Sequence, residues 1–253
     1  MGSALAGQHA LVSGGGRGIG RAIAARLRQA GARVSIIGRN AEILQQAVLA
    51  GAADAAHPVD VTDEAAVGDV LAGLSSARPF DIVVANAGAA ESASFRRSDA
   101  ALFRRMYEIN LVGTVNCFRP ALPDMLAKGS GRLVAIASTA GHRGYPYVSA
   151  YAAAKHAVIG LVRSLALETA ASGVTVNAVC PGYTDTDMVS GSLTTIAAKT
   201  GKSRAEALAE LTKDNPQQRL ITPEEVAAAV LALCSPDSRG ITGQSILING
   251  GEF

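Results

Sequence analysis

The sequence predicts a doubly wound α/β domain, in which helices cover both faces of a parallel sheet. Short apolar runs alternate with longer segments whose apolar residues have helical spacing. The first apolar run leads through a glycine-rich turn into such a segment, which is the order strand, turn, helix. The 253 residues are 49% hydrophobic, which is enough for one aliphatic core, so we expect a single domain over 1–253.

The individual elements follow from the length and spacing of these runs. Runs too short for a helix predict strands over 9–12, 33–37, 81–84, 132–137, 174–179 and 245–248. The segments between them predict helices over 21–30, 42–49, 63–74, 100–126, 150–169 and 223–233. Thr222, Pro223 and Glu225 form a capping-box pattern with proline at the first helical position, which fixes where the last helix begins.

The turn after the first strand is a candidate phosphate site. Glycines allow positive φ and close approach of a pyrophosphate, and the helix that follows offers free amide N–H groups and the positive end of its dipole. The glycine spacing differs from the G-x-G-x-x-G pattern, and a tight turn without a ligand is the alternative. The candidate residues are Ser13, Gly14, Gly16, Arg17, Gly18, Ile19 and Gly20.

A second constellation indicates acid–base chemistry. Tyr151 and Lys155 lie four residues apart in a predicted helix, so the phenol and the ammonium share one face. A cation beside a phenol favours the phenolate and is expected to lower the pKa of Tyr151 toward working pH. Ser138 follows a predicted strand, where its hydroxyl can hold a substrate oxygen. The alternative is a surface tyrosine above a solvated lysine.

Composition and charge exclude several classes of protein. The net charge is +2 and the basic residues are dispersed, so we expect no nucleic-acid partner. Cys117, Cys180 and Cys234 lack zinc or disulfide spacing and are predicted as buried thiols, and no metal site is expected. No long apolar run or targeting segment is present, so we expect a cytoplasmic protein without a membrane anchor.

Taken together and in this order, the motifs carry a family resemblance. The glycine turn, Asn86-Ala87-Gly88, Asn110, Ser138, Tyr151 with Lys155, and Pro181-Gly182 resemble the motifs of the short-chain dehydrogenase/reductase (SDR) family, from about residue 8 to Gly251. Three residues depart from the family pattern. Ser13 replaces threonine, Ala85 replaces a first asparagine and leaves Asn86 to brace the sheet alone, and Asn249 replaces aspartate.

The resemblance implies a Rossmann-type fold, a homotetramer and roles for several residues. Asn110 would distort its helix and hold a water that links Lys155 to solvent; a structural amide is the alternative. Asn86, Ala87 and Gly88 would turn the chain beneath the cofactor, and Pro181 with Gly182 would do so after the sixth strand. Either Thr184 or Thr186 would bond the nicotinamide carboxamide. Asp60 and Val61 would contact the adenine, unless Asp60 only starts a helix.

The end of the second strand bears on the choice of cofactor. NAD-binding proteins commonly place a carboxylate there for the ribose hydroxyls, and this chain has Gly38 instead. Arg39, helped by Arg17, can pair with a ribose 2′-phosphate. We therefore expect NADP(H), with NAD(H) as the alternative if both arginines are solvated surface charges.

The predicted reaction interconverts a ketone and a secondary alcohol, with Tyr151 as the general acid or base. The carbonyl could belong to a 3-oxoacyl thioester, a cyclic ketone or an aromatic ketone, with His142 and Tyr145 against the substrate. We expect a substrate lid over 184–218, because this connection is long. Two alternatives stay open, namely an NAD-dependent secondary-alcohol or 3-hydroxyacyl dehydrogenase and a catalytically idle dinucleotide-sensing protein.

Overall fold

The computed structural model describes residues 4–253, except for the side chains at 188, 192, 195, 196, 199 and 200. Seven strands form one parallel sheet in the order β3-β2-β1-β4-β5-β6-β7. Their bounds are β1 His9–Ser13, β2 Arg33–Gly38, β3 Ala55–Pro58, β4 Ile82–Ala85, β5 Gly131–Ile136, β6 Val174–Pro181 and β7 Ser245–Ile248. The prediction of a doubly wound parallel sheet is confirmed.

Helices pack on both faces of the sheet. Their bounds are α1 Gly18–Gln29, α2 Ala41–Leu49, α3 Glu64–Ala77, α4 Ala100–Tyr107, α5 Gly113–Phe118, α6 Leu122–Lys128, α7 Ser149–Thr169, α8 Asp187–Thr200, α9 Arg204–Thr212 and α10 Pro223–Cys234. The capping box at Thr222 is present, with the hydroxyl of Thr222 accepting from the amide of Glu225 and the Glu225 carboxylate accepting in return. The predicted start of α10 is confirmed.

The sheet separates two hydrophobic cores because successive side chains of a strand point to opposite faces. In β1, Ala10 and Val12 pack with α1, α2 and α10 on one face. Leu11, between them, packs with α3, α5 and α7 on the other face. Strands buried on both sides explain why the apolar runs are continuous rather than alternating.

The predicted helix over 100–126 is wrong as a single helix. A π-helical turn over Glu108–Val112 follows α4, and a break separates α5 from α6. The break coincides with Pro120 and Pro123, because proline disfavours helical conformation in the residue before it and lacks an amide donor. The predicted start of α1 at position 21 is also late, since the helix begins at Gly18.

The carboxyl ends of β1 and β4 meet at the point where the strand order reverses. Open α/β sheets bind ligands in the crevice at this point. The sequence segments predicted to hold a dinucleotide follow these two strands. Cys117, Cys180 and Cys234 are buried free thiols, as predicted. Among the described residues, no helix combines the length and apolar character needed to cross a bilayer.

Candidate active site

Tyr151 and Lys155 lie one turn apart near the start of α7, as predicted. Lys155 is only 4% exposed, and its Nζ donates a hydrogen bond to the Ile136 carbonyl oxygen at 2.8 Å. The same Nζ lies 5.7 Å from the centre of the Tyr151 ring. The alternative of a solvated lysine at the surface is therefore wrong, because this ammonium is buried and held against the end of β5.

Ser138 lies beside the phenol of Tyr151, two residues after β5 ends. Its hydroxyl accepts from the Ala140 amide at 3.1 Å, at the start of a short 3₁₀ turn over Thr139–Gly141. This turn packs tightly on α7, since a Cβ at Gly141 would lie 2.9 Å from the Lys155 carbonyl oxygen. The close packing brings Ser138 into hydrogen-bond contact with Tyr151.

The ionisation of the two groups differs from the expectation. Burial raises the pKa of Tyr151 above its ordinary value, and the hydrogen bond from Ser138 only partly opposes this. Burial also lowers the pKa of Lys155 to about 8. The expected lowering of the Tyr151 pKa is therefore wrong, because desolvation outweighs the hydrogen bond from Ser138, which is the group that lowers this pKa. Tyr151 is held in its protonated form at neutral pH.

Asn110 distorts its helix, as the resemblance implied. In the π-helical turn, its side-chain amide donates to the carbonyl oxygens of Met106 and Ala89, both at 2.9 Å. Its Oδ1 is buried and has no hydrogen-bond partner among the described residues. A Cβ at Gly88 would lie 2.8 Å from this oxygen and 3.6 Å from Lys155 Nζ. The unpaired oxygen and the ammonium therefore border the same small space, which suits a bridging water.

The glycine turn has the features that a pyrophosphate requires. Gly14 has a φ of +64°, and a Cβ at Gly20 would lie 2.2 Å from the Gly14 carbonyl oxygen. At the start of α1, Arg17 makes no side-chain capping bond and the first turn holds no acidic residue. The free amides and the positive end of the helix dipole are thus available to an anion, and the residues fit a dinucleotide.

A hydrogen-bond brace joins this turn to the loop after β4. The buried Ser13 hydroxyl accepts from the amides of Asn86 and Ala87, both at 3.0 Å. The Asn86 side chain donates to the carbonyl oxygens of Ser13 at 3.0 Å and Gly14 at 3.3 Å. Serine thus supplies the hydroxyl that the family takes from threonine, and Asn86 braces the crevice without help from Ala85.

The residues expected to determine the preference for NADP(H) or NAD(H) lie at the end of β2 and in the glycine turn. Arg39 is exposed and makes no ion pair or hydrogen bond within the described part of the chain. A Cβ at Gly38 would lie 4.0 Å from the Gly14 Cα, so the place of the usual carboxylate is close to the turn. Arg17 pairs across 3.7 Å with Asp187 at the start of α8, and both side chains are largely exposed.

The proposed adenine residues have structural contacts of their own. Asp60 Oδ1 accepts from the Thr62 amide at 3.0 Å and from its hydroxyl at 2.9 Å, while the N-cap of α3 is Asp63. The Val61 carbonyl oxygen accepts from Asn116 at 2.9 Å. Asp60 therefore shapes a turn and does not itself start the helix.

The segment after β6 approaches the glycine turn. Pro181 ends the strand, and the Gly182 amide donates to the Ile248 carbonyl oxygen at 2.9 Å. Thr184 is buried and its hydroxyl donates to the Gly182 carbonyl oxygen at 3.0 Å. The Thr186 methyl lies 3.2 Å from where a Cβ at Gly18 would be. Of the two threonines, Thr186 is the one that faces the turn.

The substrate side includes a residue that sequence reasoning missed. Tyr145 donates a hydrogen bond to Glu252 Oε1 at 2.8 Å, and Arg143 forms an ion pair with the same carboxylate. The His142 ring lies 6.4 Å from that of Phe253. No motif marks Glu252, because 107 residues separate it from Tyr145 and only folding brings the two together.

Comparison with known proteins places this geometry in a family. The family profile described as Enoyl-(Acyl carrier protein) reductase matches residues 14–252. The chain belongs to the short-chain dehydrogenase/reductase family. The SDR protein is 36% identical over 250 residues to D-beta-hydroxybutyrate dehydrogenase of Rhizobium meliloti (strain 1021), covering 96% of this chain and 97% of that protein.

Two further similarities extend over nearly the whole SDR chain. It is 39% identical over 258 residues to cis-4-hydroxycyclohexanecarboxylate dehydrogenase of Sinomonas cyclohexanicum, covering 99% of this chain and 98% of the relative. It superposes on the crystal structure of actinorhodin polyketide ketoreductase with NADPH with a TM-score of 0.92, at 34% identity over 97% of each chain. The protein is thus an oxidoreductase of the SDR family, as the sequence predicts.

Proposed function

We propose that this SDR protein is an NADP(H)-dependent oxidoreductase that interconverts a ketone and a secondary alcohol. The observation that carries the proposal is the convergence of the Ser138 hydroxyl, the Tyr151 phenol and the buried Lys155 ammonium at the same edge of the sheet as the glycine turn. A proton donor, an oxygen-binding hydroxyl and a cation beside a dinucleotide crevice are the groups that carbonyl reduction needs.

Each side chain has a distinct role in this proposal. When bound, the nicotinamide supplies the hydride. Ser138 holds and polarises the carbonyl oxygen, and Tyr151 gives that oxygen a proton. Burial raises the pKa of Tyr151, so the phenol keeps its proton at neutral pH and can act as the acid of carbonyl reduction. Oxidation requires the phenolate, so it should need higher pH or the positive charge of the oxidised cofactor.

Resupply of the proton is assigned to Lys155 and Asn110. Burial lowers the pKa of Lys155 to about 8, so this group can exchange a proton close to neutral pH. The unpaired Asn110 Oδ1 borders the same space as Lys155 Nζ and can hold a water there. Lys155 also lies where it can bond a nicotinamide ribose and so orient the dinucleotide.

The preference for NADP(H) rests on Arg39. Its guanidinium is exposed, is not paired within the described residues and follows the position where a carboxylate would select NAD. The other cofactor contacts are proposed as in the sequence analysis, with Thr186 favoured over Thr184 for the carboxamide. An NAD-dependent dehydrogenase remains the alternative, because Arg17 forms an ion pair with Asp187. Arg39 is then the one arginine left to bind the 2′-phosphate in this proposal.

The segment over 184–218 is proposed as a substrate lid. It contains α8 and α9, and Asp187 at its start reaches Arg17 in the glycine turn. We also expect a homotetramer through the faces of α4 to α7, since Leu167 is 82% exposed on α7. Light scattering should give four times the 25.7 kDa chain mass, and a monomer would contradict the expectation.

The function is tested with a panel of carbonyl substrates and both cofactors. A 3-oxoacyl thioester, a cyclic ketone and an aromatic ketone are assayed with NADPH and NADH, beside the Tyr151→Phe variant. We expect turnover with NADPH that falls by roughly 10²- to 10⁴-fold in the variant, the usual share of general acid catalysis. Dinucleotide affinity should change little. Near-normal turnover in the variant would refute the role of Tyr151, and binding without any turnover would favour a dinucleotide sensor.

A further inference from the structure

Five residues form a cluster on the substrate side that we call the clasp: Arg143, Tyr145, Asp214, Glu252 and Phe253. They come from the loop after β5, the end of the lid and the C-terminal end of the chain. Arg143 pairs with Glu252 and lies 3.6 Å from the Asp214 carboxylate. Tyr145 donates to Glu252 at 2.8 Å. The clasp therefore ties three distant segments together.

The guanidinium of Arg143 lies between two aromatic rings and two carboxylates of the clasp, and its Nε is buried without a hydrogen-bond partner among the described residues. Its central carbon lies 4.6 Å from the centre of the Tyr145 ring and 4.9 Å from that of Phe253. Two carboxylates lie on its polar edge, and the Glu252 side chain is only 7% exposed. One cation faces two anions, so the clasp has a surplus of one negative charge. Glu252 neutralises Arg143 in the less exposed pair, so the surplus charge lies on Asp214, whose side chain is 59% exposed and is open to screening by salt.

The clasp borders the place where the carbonyl would react. Glu252 Oε2 lies 3.6 Å from the position of a Cβ on Gly182, in the segment assigned to the nicotinamide. The Tyr145 ring contacts Tyr183 edge-on at 6.3 Å, and Tyr183 in turn lies close enough to influence the ionisation of Tyr151. The charges of the clasp therefore lie beside the segment that would hold the nicotinamide.

We propose that Glu252 determines substrate specificity by neutralising Arg143, so that the site accepts uncharged ketones and disfavours 3-oxo carboxylates. This inference rests on the proposed function and sharpens it by choosing among substrates by charge. A carboxylate next to the reacting carbonyl would meet the negative surplus of the clasp, and it would find the Nη2 of the nearby guanidinium already paired with Glu252. An ester or thioester of the same acid meets no such repulsion.

The competing view is that Arg143 itself binds a substrate carboxylate. In that view the substrate carboxylate competes with Glu252, which is held by the ion pair with Arg143 and by the Tyr145 hydroxyl. Removing one partner of such a pair leaves an uncompensated buried charge, so displacement is costly. The two views make opposite predictions for the same variants.

The test compares 3-oxobutyrate with its ethyl ester, assayed with NADPH as kcat/KM. We expect the wild-type enzyme to prefer the neutral ester by roughly tenfold, the scale of a charge interaction near the protein surface. Glu252→Gln should narrow that preference by roughly tenfold, mainly through a lower KM for the acid. Asp214→Asn should act in the same direction but less, since its carboxylate is 59% exposed. Glu224→Gln, which changes an exposed carboxylate on α10, is the control and should leave kcat/KM for the acid and for the ester unchanged.

Several results would overturn the proposal. Equal use of acid and ester by the wild-type enzyme contradicts it, as does a selective loss of acid turnover in Arg143→Gln. If Glu252→Gln fails to fold, the wild-type enzyme alone still decides, because added salt should lower the KM for the acid and leave that for the ester unchanged. A preference for the ester over the acid that does not change with salt concentration contradicts the proposal. Absence of turnover with either compound and with the whole ketone panel would instead refute the proposed function.

Discussion

The glycine turn on the dinucleotide side is built from residues close in sequence, whereas the substrate side joins residues far apart. In the turn after β1, glycines separated by a few positions are packed against one another's backbone. In the clasp, Arg143 meets Glu252 across 109 positions. Backbone packing fixes the first region, and side-chain charges fix the second. The dinucleotide side should therefore tolerate almost no change, while the substrate side should be tunable.

The largest effect is expected from Gly20→Ala, which tests how rigid the dinucleotide side is. The added Cβ would lie 2.2 Å from the Gly14 carbonyl oxygen. Relief of this clash requires backbone movement and should cost about 3 kcal/mol, at the upper end for overpacking. We expect a Tm lower by about 6–12 °C and a marked loss of NADPH affinity, measured by thermal unfolding and fluorescence titration.

Gly68→Ala is the matched control for this variant. Gly68 lies within α3 and a Cβ there would meet no atom within 4 Å. Replacing a helical glycine with open space around it should be neutral or should stabilise by about 0.5–1 kcal/mol. If Gly20→Ala and Gly68→Ala change the Tm and the NADPH affinity equally, close packing of the turn is not the reason that position 20 requires glycine.

Lys155 lies between the two regions and should make stability depend on pH. Its pKa is lowered to about 8 by burial, while the unfolded chain keeps this proton to about pH 10. Between these values the unfolded state binds more protons, so stability rises with pH there. Lys155→Met should therefore stabilise the protein at pH 7 by on the order of 3 kcal/mol, a gain that shrinks toward pH 9.5.

Urea unfolding at both pH values measures this change. Lys128→Met, which removes an exposed lysine at the opposite edge of the sheet, is the control. Its effect on the free energy of unfolding should not shrink between pH 7 and pH 9.5. A gain for Lys155→Met that is equal at pH 7 and pH 9.5 would contradict the effect of burial on Lys155.

Arg39→Ala sharpens the comparison by testing a side chain on the dinucleotide side that is free of backbone packing. Loss of a charge-assisted contact to a 2′-phosphate should cost about 1.5–3 kcal/mol, which raises the KM for NADPH by roughly 10- to 100-fold. The KM for NADH should change little. Arg21→Ala, an exposed arginine on α1, is the control. Equal effects of Arg39→Ala on both cofactors would favour the NAD-dependent alternative.

The smallest effect is expected from Tyr145→Phe, which removes one hydrogen bond of the clasp. A bond to a charged group contributes about 1.5–3 kcal/mol, and the half-exposed loop should keep the loss near the lower value. We expect a Tm lower by a few degrees and NADPH affinity unchanged. A large loss of NADPH affinity would show that the two regions are coupled, which would contradict their description as separate dinucleotide and substrate sides.

Several features were predictable because their causes are local. The capping box of α10 needs only residues within one helical turn, and it begins where predicted. Tyr151 and Lys155 share a face because helix geometry repeats every few residues. The predicted helix over 100–126 failed partly for a local reason, the prolines at 120 and 123, and partly for a non-local one. Asn110 takes the Met106 carbonyl oxygen and also that of Ala89, and the second contact depends on the neighbouring loop.

The sequence by itself determined the order of the elements, the parallel sheet, the glycine turn and the Ser138, Tyr151 and Lys155 set. Each of these depends on periodicity or on the conformational limits of single residues. Only the tertiary structure decided that burial raises the pKa of Tyr151, that Ser13 and Asn86 brace the crevice, and that Glu252 neutralises Arg143. Burial and long-range pairing set these properties, because both arise only when distant segments exclude water together.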